Sequence, residues 1–299
     1  MLICPECAGE IALAGAGCAR CGWKLERRGG VPVLLSESDR NDPFFVEYLQ
    51  NYDRIAADDL TKSIQDERYA RAQAAKLRDY LGTLSGLRVC DVGVGRGLLF
   101  SHLAASDARS LTAVDISLAY LIQLPDRDRH RIVIANAENL PFVEEFDLLV
   151  ASDVLEHVSN VGNFLVSVNR ALPLGGRFVV RVPLEESLMA YSRWLGCPYK
   201  FVHLRAFTKR GLRLLLESAG FEVTRFRFDG FERSRARTLV TRYARIKRMF
   251  LEELDRRYSG RHEAEIPNVL GALLMRPIEI AAIATKRSSL AWSVPAAVR

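Results

Sequence analysis

The chain has 299 residues, of which 49% are hydrophobic and 26% are charged, and its formal net charge is +6. These values describe an ordinary globular protein with room for one large α/β domain and small additions. The modest positive charge allows contact with nucleic acid or an anionic membrane surface but does not require it.

Two further features narrow the class of protein. No apolar run reaches about 18 residues without a charge, so we expect no membrane-spanning helix. The first 20 residues lack the basic start and the apolar stretch of a signal peptide, which predicts a cytoplasmic protein. Four of the six cysteines cluster near the N-terminus, a distribution unlike that of a secreted disulfide-rich domain.

Residues 1–35 are predicted to form a small separate unit. Cys4 and Cys7 make one Cys-x-x-Cys pair, and Cys18 and Cys21 make a second after ten intervening residues. The two pairs together can complete a tetrahedral site, so we predict a structural zinc ribbon, with iron as the alternative metal. Two disulfides, or a ribbon without metal, stay open as alternatives. Because a unit this short buries little core, the metal would supply its folding energy.

The next segments lead into the main domain. Residues 29–35 read as the exit strand of the ribbon, and residues 36–43 read as a polar linker. In residues 44–81 aromatic and apolar positions recur at helical spacing, which predicts helices that pack on the core or cover a cofactor pocket. Linker and helices together form the segment 36–81, and the main domain is predicted to span residues 82–299.

From residue 87 onward, strand-like and helix-like segments alternate. This alternation predicts a parallel sheet with right-handed crossovers and a ligand at the carboxyl ends of the strands. The predicted strands are 87–92, 110–116, 131–135, 146–151 and 177–182, and the predicted helices between them are 97–105, 117–124 and 160–172.

The alternation stops after the fifth of these strands. Residues 183–206 are irregular and are predicted to form a lid, followed by a helix at 208–219. Two further strands are predicted at 221–228 and 278–284. Between them, residues 231–276 read as a helical, arginine-rich insertion. Such a segment suits phosphate contact or an anionic membrane surface, and the plain alternative is a solvated helix face.

The segment Val89–Gly97 predicts a strand, a tight turn and the start of a helix. Its glycines at positions 93, 95 and 97 let the backbone take positive φ and let a ligand approach closely. Asp115 ends the next strand, where a carboxylate can accept hydrogen bonds from both hydroxyls of a ribose. A leucine stands where the dinucleotide fingerprint places its last glycine, which favours a nucleoside cofactor without a pyrophosphate. For the turn alone, a ligand-free turn is the alternative.

Four segments carry a family resemblance: Asp91–Gly97, Val114–Ser117, Asn136–Phe142 and Phe146–Val158. Together they resemble the class I S-adenosylmethionine-dependent methyltransferases. The branch they resemble contains ubiquinone and menaquinone biosynthesis methyltransferases and many small-molecule O-methyltransferases. The resemblance covers roughly residues 85–185, with the motifs in the family's order. It implies an α/β fold with a Rossmann-like seven-stranded sheet, one strand of it antiparallel, and S-adenosylmethionine as the cofactor.

The resemblance also implies a role for each matched residue. The three glycines Gly93, Gly95 and Gly97 would wrap the amino acid part of the cofactor, with Asp91 holding the turn. Asp115 would bind the ribose hydroxyls. The remaining positions would be Ile116 against the adenine, Ala137 and Glu138 at the adenine edge, and Ser152 and Asp153 near the methionine end, beside the methyl group. The family places a glutamate or another residue at the position of Asp153.

Methyl transfer to a hydroxyl usually also requires a base, and histidine suits this role near neutral pH. The candidates are His203 in the lid and His157 after the strand at 146–151, with Asp153 as a third catalytic candidate. The alternatives are a packing role for His157 and a structural hydrogen bond for His203. Arg205 could hold an anionic acceptor or cap a helix. Three lid aromatics could line an acceptor pocket or simply pack: Tyr191, Trp194 and Tyr199.

The sequence therefore predicts S-adenosylmethionine-dependent methyl transfer to a small-molecule, glycan or lipid-linked acceptor, at a hydroxyl oxygen. The second hypothesis is a ribosomal or transfer RNA methyltransferase whose ribbon and arginines hold phosphates. Some ribosomal RNA enzymes resemble this arrangement, but the fourth ligand of their zinc module is usually histidine. The third hypothesis is a scaffold that binds the cofactor without turnover.

Overall fold

The computed structural model describes residues 1–62, 67–236, 249, 252–253 and 275–290. The strands in these parts of the chain are β1 (Glu26–Arg28), β2 (Val31–Leu34), β3 (Arg88–Val92), β4 (Ser110–Asp115), β5 (Arg131–Ala135), β6 (Leu148–Ser152), β7 (Arg177–Pro183), β8 (Phe221–Ala236) and β9 (Met275–Lys286). The α-helices are α1 (Glu37–Asn41), α2 (Pro43–Lys62), α3 (Glu67–Leu81), α4 (Leu98–Ala104), α5 (Leu118–Ile122), α6 (Val161–Ala171) and α7 (Lys209–Ser218).

The nine described strands form one sheet in the spatial order β1-β2-β5-β4-β3-β6-β7-β9-β8. Strands β2, β5, β4, β3, β6 and β7 run parallel, whereas β9 lies antiparallel between β7 and β8. The chain moves outward from β3 through β4 to β5 and then returns to place β6 on the other side of β3. This reversal opens a crevice at the carboxyl ends of β3 and β6, where sheets of this kind bind ligands.

Strands β3 to β9 confirm the predicted Rossmann-like seven-stranded sheet and its antiparallel strand. The local reason is the apolar character of the central strands, which are covered on both faces. In β6, for example, the four residues Leu148–Ala151 are all buried. Two apolar clusters cover the opposite faces of the sheet, and the observed ends of β3 to β7 lie within two residues of the predicted ends.

The N-terminal segment is not a free-standing unit, which corrects the prediction for residues 1–35. Strand β2, the predicted exit strand, pairs in parallel with β5, with Val33 opposite Ile134. The backbone N–H of Ile3 also donates to the carbonyl oxygen of Pro141 at 2.9 Å. An uncovered β5 would leave a row of open backbone groups at the sheet edge. The ribbon segment therefore extends the main sheet and closes that edge.

The predicted linker, residues 36–43, contains the short helix α1, which was not predicted from the sequence. Ser36 caps this helix: its hydroxyl accepts from the N–H of Asp39 at 3.0 Å, and the Asp39 carboxylate accepts from the N–H of Ser36 at 3.1 Å. This reciprocal pair is a capping box. A helix of one turn is too short to show apolar periodicity. The helices predicted within residues 44–81 are present as α2 and α3.

The predicted helical insertion, residues 231–276, is wrong at both of its ends. Residues 231–236 continue β8, and residues 275–276 begin β9. Most of the stretch between them, with arginines 237, 242, 245 and 248 and Lys247, lies outside the described residues. Phosphate or membrane-surface contact through this segment stays a prediction. Within the parts of the chain that the structure describes, no helix combines the length and the apolar character needed to span a membrane.

A buried lysine joins β9 to the end of α6. Lys286 is 2% exposed, and its Nζ donates to the carbonyl oxygens of Asn169 and Leu172, each at 2.8 Å. The last carbonyls of a helix have no partner within the helix. Lys286→Met should therefore lower the free energy of unfolding by about 1–3 kcal/mol, because two buried acceptors lose their donor. Urea denaturation measures the loss, and the exposed Lys62→Met should change stability by less than about 0.5 kcal/mol. Equal effects of the two substitutions would contradict this assignment.

Candidate cofactor and acceptor site

A cavity of about 750 Å³ lies at the carboxyl ends of β3, β4, β5 and β6. Residues of α2, α3, β9 and the lid close its other sides. Its volume is typical of sites for small molecules and cofactors. Almost all of the predicted site residues line this cavity: Asp91, Gly93, Gly95, Asp115, Ile116, Ala137, Glu138, Ser152, Asp153, His157 and His203.

The glycine turn after β3 forms the floor of the cavity. Gly93, Gly95 and Gly97 all have positive φ, at 72°, 49° and 72°. A Cβ on Gly93 would also lie 2.4 Å from a side-chain carbon of Val154, so the position has no room for a larger residue. Gly97 is the one predicted turn residue that does not line the cavity. A Cβ at Gly97 would lie 2.5 Å from a side-chain carbon of Leu124, so this position also lacks room for a larger residue, and its contact with the cofactor stays a prediction.

Asp115 connects the turn to the next strand. Its carboxylate accepts from the N–H of Gly95 at 3.0 Å and from the N–H of Ser117 at 2.9 Å. The side chain lines the cavity, and burial raises the pKa of Asp115 to about 6 despite these two bonds. Carboxylate oxygens accept more than one hydrogen bond each, so the group can still receive hydroxyl donors from a ligand.

Asp91 has a different environment at the end of β3. It is 2% exposed, and its Oδ2 has no hydrogen-bond partner among the described residues. Burial, with the charge of Asp115 as a second cause, raises the pKa of Asp91 to about 7. A buried acceptor without a partner is costly unless a ligand supplies a donor. Asp91 therefore offers a hydrogen-bond acceptor to a ligand, in addition to its predicted place in the turn.

The loop after β5 forms the far end of the cavity. Asn136 caps a 3-10 turn over residues 137–139 by accepting from the N–H of Glu138 at 2.9 Å. Glu138 in turn accepts from the N–H and the hydroxyl of Ser159, both at 2.7 Å. These bonds hold Ala137 and Glu138 at the cavity wall, while one carboxylate oxygen of Glu138 is already engaged.

Asp153 is held in an unusual backbone conformation at the opposite end. It has a φ of 57°, and its carboxylate accepts from the Ser152 hydroxyl at 2.8 Å and forms an ion pair with Arg181. Burial alone would lower the pKa of Arg181, but Asp153 and two further carboxylates outweigh burial and raise it. Because Asp153 is paired with a permanent cation, it is poorly suited to act as a free base.

The two predicted histidines lie together beside Asp153. Their ring centroids are 4.6 Å apart, with the planes nearly perpendicular. Nδ1 of His203 lies 2.7 Å from a carboxylate oxygen of Glu186, and the other oxygen accepts from the Tyr191 hydroxyl at 2.8 Å. A carboxylate at Nδ1 holds the proton there and leaves Nε2 as the acceptor. Burial, followed by the neighbouring His203, lowers the pKa of His157 to about 3, so His157 stays neutral.

The three lid aromatics and Arg205 have different positions relative to the cavity. Tyr191 lines the cavity, whereas Trp194 is 94% exposed and Tyr199 bonds to Asp58 outside the cavity. Of the two alternatives for these aromatics, the structure therefore supports pocket lining for Tyr191 alone. Arg205 donates to the carbonyl oxygens of residues 155, 158 and 159, so its guanidinium holds the turn between β6 and α6 and matches neither the predicted helix cap nor an anion site.

Several lining residues were not predicted. The most polar are Gln73, Arg181, Glu186 and Glu279. Two of them did leave a signal, because Arg181 and Glu279 interrupt strands that are otherwise apolar, and a charge in such a strand requires a reason. Gln73 lies on an ordinary amphipathic helix, and its sequence context offers no comparable signal.

The four N-terminal cysteines converge at a second place. The Sγ atoms of Cys4 and Cys21 are 3.7 Å apart, and those of Cys7 and Cys18 are 3.5 Å apart. All four thiols are free, and their sulfur atoms lie within 4.8 Å of one another. Tetrahedral zinc with bonds of about 2.3 Å requires sulfur separations of about 3.8 Å. The arrangement fits a four-thiolate metal site and does not fit two disulfides.

A further group of ligand atoms lies inside the cavity. One atom each of Glu156, His157 and His203 lies within 4.8 Å of the others. Such a set of one carboxylate and two imidazoles has the composition of a divalent metal site.

Comparison with known proteins identifies the fold's family. A family model described as a methyltransferase domain matches residues 66–225. The chain belongs to this family. The prediction of a class I S-adenosylmethionine-dependent methyltransferase is thereby confirmed.

Three known proteins are similar to this methyltransferase over alignments of different length. It is 34% identical over 175 residues to the demethylmenaquinone methyltransferase of Tropheryma whipplei (strain Twist), an alignment of 57% of this chain and 68% of the relative. It is 32% identical over 108 residues to the ubiquinone biosynthesis O-methyltransferase of Rhodopseudomonas palustris (strain BisB18), covering 33% and 41% of the two chains. It is 26% identical over 158 residues to the tRNA U34 carboxymethyltransferase of Aliivibrio fischeri (strain ATCC 700601 / ES114), covering 49% and 48%.

Solved structures show the same fold at lower identity. A SAM-dependent methyltransferase from Thermotoga maritima superposes with a TM-score of 0.54 at 18% identity, covering 80% of this chain and all of the other. The 1,6-didemethyltoxoflavin-N1-methyltransferase of Burkholderia thailandensis gives a TM-score of 0.51 at 19% identity, covering 82% and 91%. At these identities the likeness concerns the fold alone.

Proposed function

We propose that the methyltransferase transfers the methyl group of S-adenosylmethionine to a hydroxyl oxygen of a small-molecule acceptor, with His203 as the base. The observation that supports this proposal best is the pairing of His203 with Glu186 at the end of the cavity that begins at the glycine turn. A carboxylate-oriented imidazole is a common arrangement for removing a proton. Two quinone-pathway relatives, one of them named an O-methyltransferase, agree with a small-molecule acceptor.

In this proposal the cofactor is held by the residues that line the inner half of the cavity. Asp115 would accept from the ribose hydroxyls, Ile116 would pack on the adenine, and Ala137 and Glu138 would border the adenine edge. Asp91 would accept from the amino acid part, and the turn at Gly93 and Gly95 would let the ligand approach the backbone. When bound, S-adenosylmethionine supplies an activated methyl group and a neutral thioether leaving group.

The chain's residues then need to align the acceptor and remove one proton. The bound cofactor would supply the methyl group to the acceptor oxygen and keep the carbon–sulfur bonding electrons in its neutral thioether, and Nε2 of His203 would take the hydroxyl proton of the acceptor. Glu186 holds Nδ1 and stabilises the resulting imidazolium. His157 borders this place as a neutral ring. Asp153 acts through its ion pair with Arg181 and not as a base. The lid and helix α2 keep water away from the reacting atoms.

The base assignment can be tested by removing the imidazole. His203→Ala should lower kcat by about 10²–10⁴-fold, because the hydroxyl proton loses its acceptor. Affinity for S-adenosylmethionine should change by less than about threefold, because His203 lies at the acceptor end. The measurements are S-adenosylhomocysteine release with a panel of phenols, catechols and sugar alcohols, and calorimetry for the cofactor. His102→Ala, an exposed histidine on α4, is the matched control. Full activity of His203→Ala would rule out this role.

We also propose that Cys4, Cys7, Cys18 and Cys21 hold a structural zinc ion. The free thiols and their tetrahedral spacing support this assignment. Four thiolates leave no open coordination position, so the site would have no catalytic part. A glycan or lipid-linked acceptor stays a prediction.

An RNA acceptor is the second candidate, favoured by the relative named a tRNA carboxymethyltransferase. The charge of the cavity disfavours it, because eight carboxyl side chains and two arginines line its wall. Salt separates the two candidates: RNA binding should weaken steeply as salt rises, whereas binding of a small acceptor should not. A scaffold without turnover would bind the cofactor but methylate no acceptor in the same panel.

A further inference from the structure

The acceptor end of the cavity carries more carboxyl groups than cations. We call the side chains of Gln73, Glu156, Arg181 and Glu279 the acceptor wall; all four line the cavity. Arg181 is the one permanent cation of the acceptor wall, and its ion pair with Asp153 already offsets its charge. In the described parts of the chain, neither glutamate of the acceptor wall forms an ion pair with a lysine or arginine, although the charge of Arg181 also acts on Glu279 and Nε2 of the neutral His157 lies 4.0 Å from Glu156.

The free oxygens of these glutamates belong to side chains that line the cavity, and the oxygens themselves are shielded from solvent. Glu156 is 0% exposed, and neither of its carboxyl oxygens has a hydrogen-bond partner in the described parts of the chain. Glu279 is 8% exposed; one oxygen accepts from the Tyr69 hydroxyl at 3.2 Å, and the other has no partner there. Buried carboxyl groups are almost always paired, so three unpaired oxygens at one cavity wall require an explanation.

Gln73 is an independent sign that a ligand belongs here. It lies on α3 and is 0% exposed, yet both atoms of its side-chain amide lack a hydrogen-bond partner among the described residues. An amide in this condition costs free energy unless a bound molecule provides both a donor and an acceptor. Because Gln73 is uncharged, its burial cannot be explained by repulsion or attraction among the carboxylates.

The electrostatics of the two glutamates point in the same direction. Burial raises the pKa of Glu156 and of Glu279 well above the ordinary range, and the charge of Asp153 adds to the effect at both, while the guanidinium of Arg181 partly opposes it at Glu279. Each carboxyl group is thus held in a place that opposes its ionised form. A cation lying between them would counteract both causes, because its positive charge stabilises the ionised carboxylates that burial and the Asp153 charge destabilise.

We infer that the methyl acceptor carries an organic ammonium group, which binds against Glu156 and Glu279 while Gln73 hydrogen-bonds the polar atoms beside it. This inference rests on the proposed function, because it places the acceptor in the same cavity, next to His203. The ammonium group is a recognition element, and the hydroxyl that receives the methyl group is a separate part of the molecule. Acceptors of this class are hydroxylated amines.

The same wall discriminates against other acceptors. A carboxylate or phosphate group at this position would face two buried carboxyl groups and one arginine, whose Nη2 pairs with Asp153 while its Nε and Nη1 have no partner among the described residues. A neutral group would leave the glutamates without a charged partner. The expected order of affinity is therefore cationic, then neutral, then anionic, for molecules that share the same hydroxyl-bearing ring.

A matched series of three catechols tests the inference. Dopamine carries an ammonium group, 4-ethylcatechol is neutral, and 3,4-dihydroxyphenylacetate is anionic, while the ring and its hydroxyls are the same. Calorimetry with the full chain saturated with S-adenosylhomocysteine should show dopamine binding at least about tenfold more tightly than 4-ethylcatechol. In Glu279→Gln this preference should fall below about threefold, because the neutral amide carries no negative charge to pair with the ammonium group.

Controls separate this inference from the proposed function. Glu217→Gln, an exposed glutamate on α7, should keep the preference, and Glu156→Gln provides a second reading of the acceptor wall. Equal binding of the three catechols, a preference for the anionic one, or no dopamine binding up to about 10 mM would overturn the inference. The inference would also be overturned if magnesium ions saturated the acceptor wall while the protein showed no preference for dopamine over 4-ethylcatechol. Cofactor binding and methyl transfer to 4-ethylcatechol are measured in parallel, so the proposed function can stand when the inference fails.

Discussion

Replacing Asp115 by alanine should weaken S-adenosylmethionine binding by about 100-fold. Hydrogen bonds to a charged group contribute about 1.5–3 kcal/mol each, so losing the two expected from the ribose removes about 3 kcal/mol or more. The carboxylate also holds the glycine turn through the N–H of Gly95, and this contact is lost with it. Calorimetry measures the affinity, and Asp107→Ala, an exposed aspartate before β4, is the control. Unchanged affinity would remove the ribose role of Asp115.

The same site predicts how the affinity depends on pH. Burial raises the pKa of Asp115 to about 6, so in the free protein its carboxyl group gains a proton as the pH falls below that value. The protonated form is a poorer acceptor, and binding must then expel the proton. Affinity should therefore fall by up to about tenfold per pH unit below pH 6. Asp115→Asn should lose this component, while a component from Asp91 remains at a lower pH, because the neighbouring charge that helps to raise the pKa of Asp91 is removed.

Removing the ribbon metal should affect the cofactor site as well as the ribbon. We expect about one equivalent of zinc in the purified protein and its loss in Cys4→Ser. The ribbon contacts the loop that follows β5, since Ile3 donates to Pro141 and the Asn139 amide donates to the carbonyl oxygen of Pro5. That loop begins with Ala137 and Glu138. Losing the metal should therefore lower the Tm by roughly 10 °C and weaken cofactor binding by about tenfold.

Metal analysis, a thermal melt and calorimetry check these three effects separately. Cys197→Ser is the matched control, because this lid cysteine lies outside the four-thiol cluster. Less than about half an equivalent of zinc or iron in the unmodified protein would remove the metal site. If the metal-free protein bound the cofactor with full affinity, the predicted effect of the ribbon on the cavity would be contradicted.

The parts of the fold that the sequence predicts well are those set by local pattern. Central parallel strands are apolar at successive positions, and the turn and strand-end carboxylates occur beside them, so β3, β4 and β6 can be located with their site residues. Asp115 and Gly93 line the cavity for this reason. Local pattern does not predict the tertiary contacts of the same turn. The positive φ of Gly97 follows from the motif, but its packing against Leu124 depends on the position of a later helix.

The acceptor end is less predictable because it is assembled from distant segments. Gln73 comes from α3, Arg181 from β7 and Glu279 from β9, and these residues meet only once the sheet order is known. The predicted bounds of the insertion were wrong for a related reason, since the arginine-rich pattern continues across the ends of two long antiparallel strands. The docking of the ribbon was not predicted either, because the pairing of Val33 with Ile134 has no local signature.

The pairing of β2 with β5 has a consequence for how the chain is made. Strand β2 is synthesised about a hundred residues before its partner, whereas the four cysteines lie within the first 21 positions. A metal-bound ribbon can therefore form early, from local contacts, while the parallel pairing must wait for a long loop to close. During synthesis the ribbon would present β2 as a preformed edge, to which β5 can add once β3, β4 and β5 have all been made.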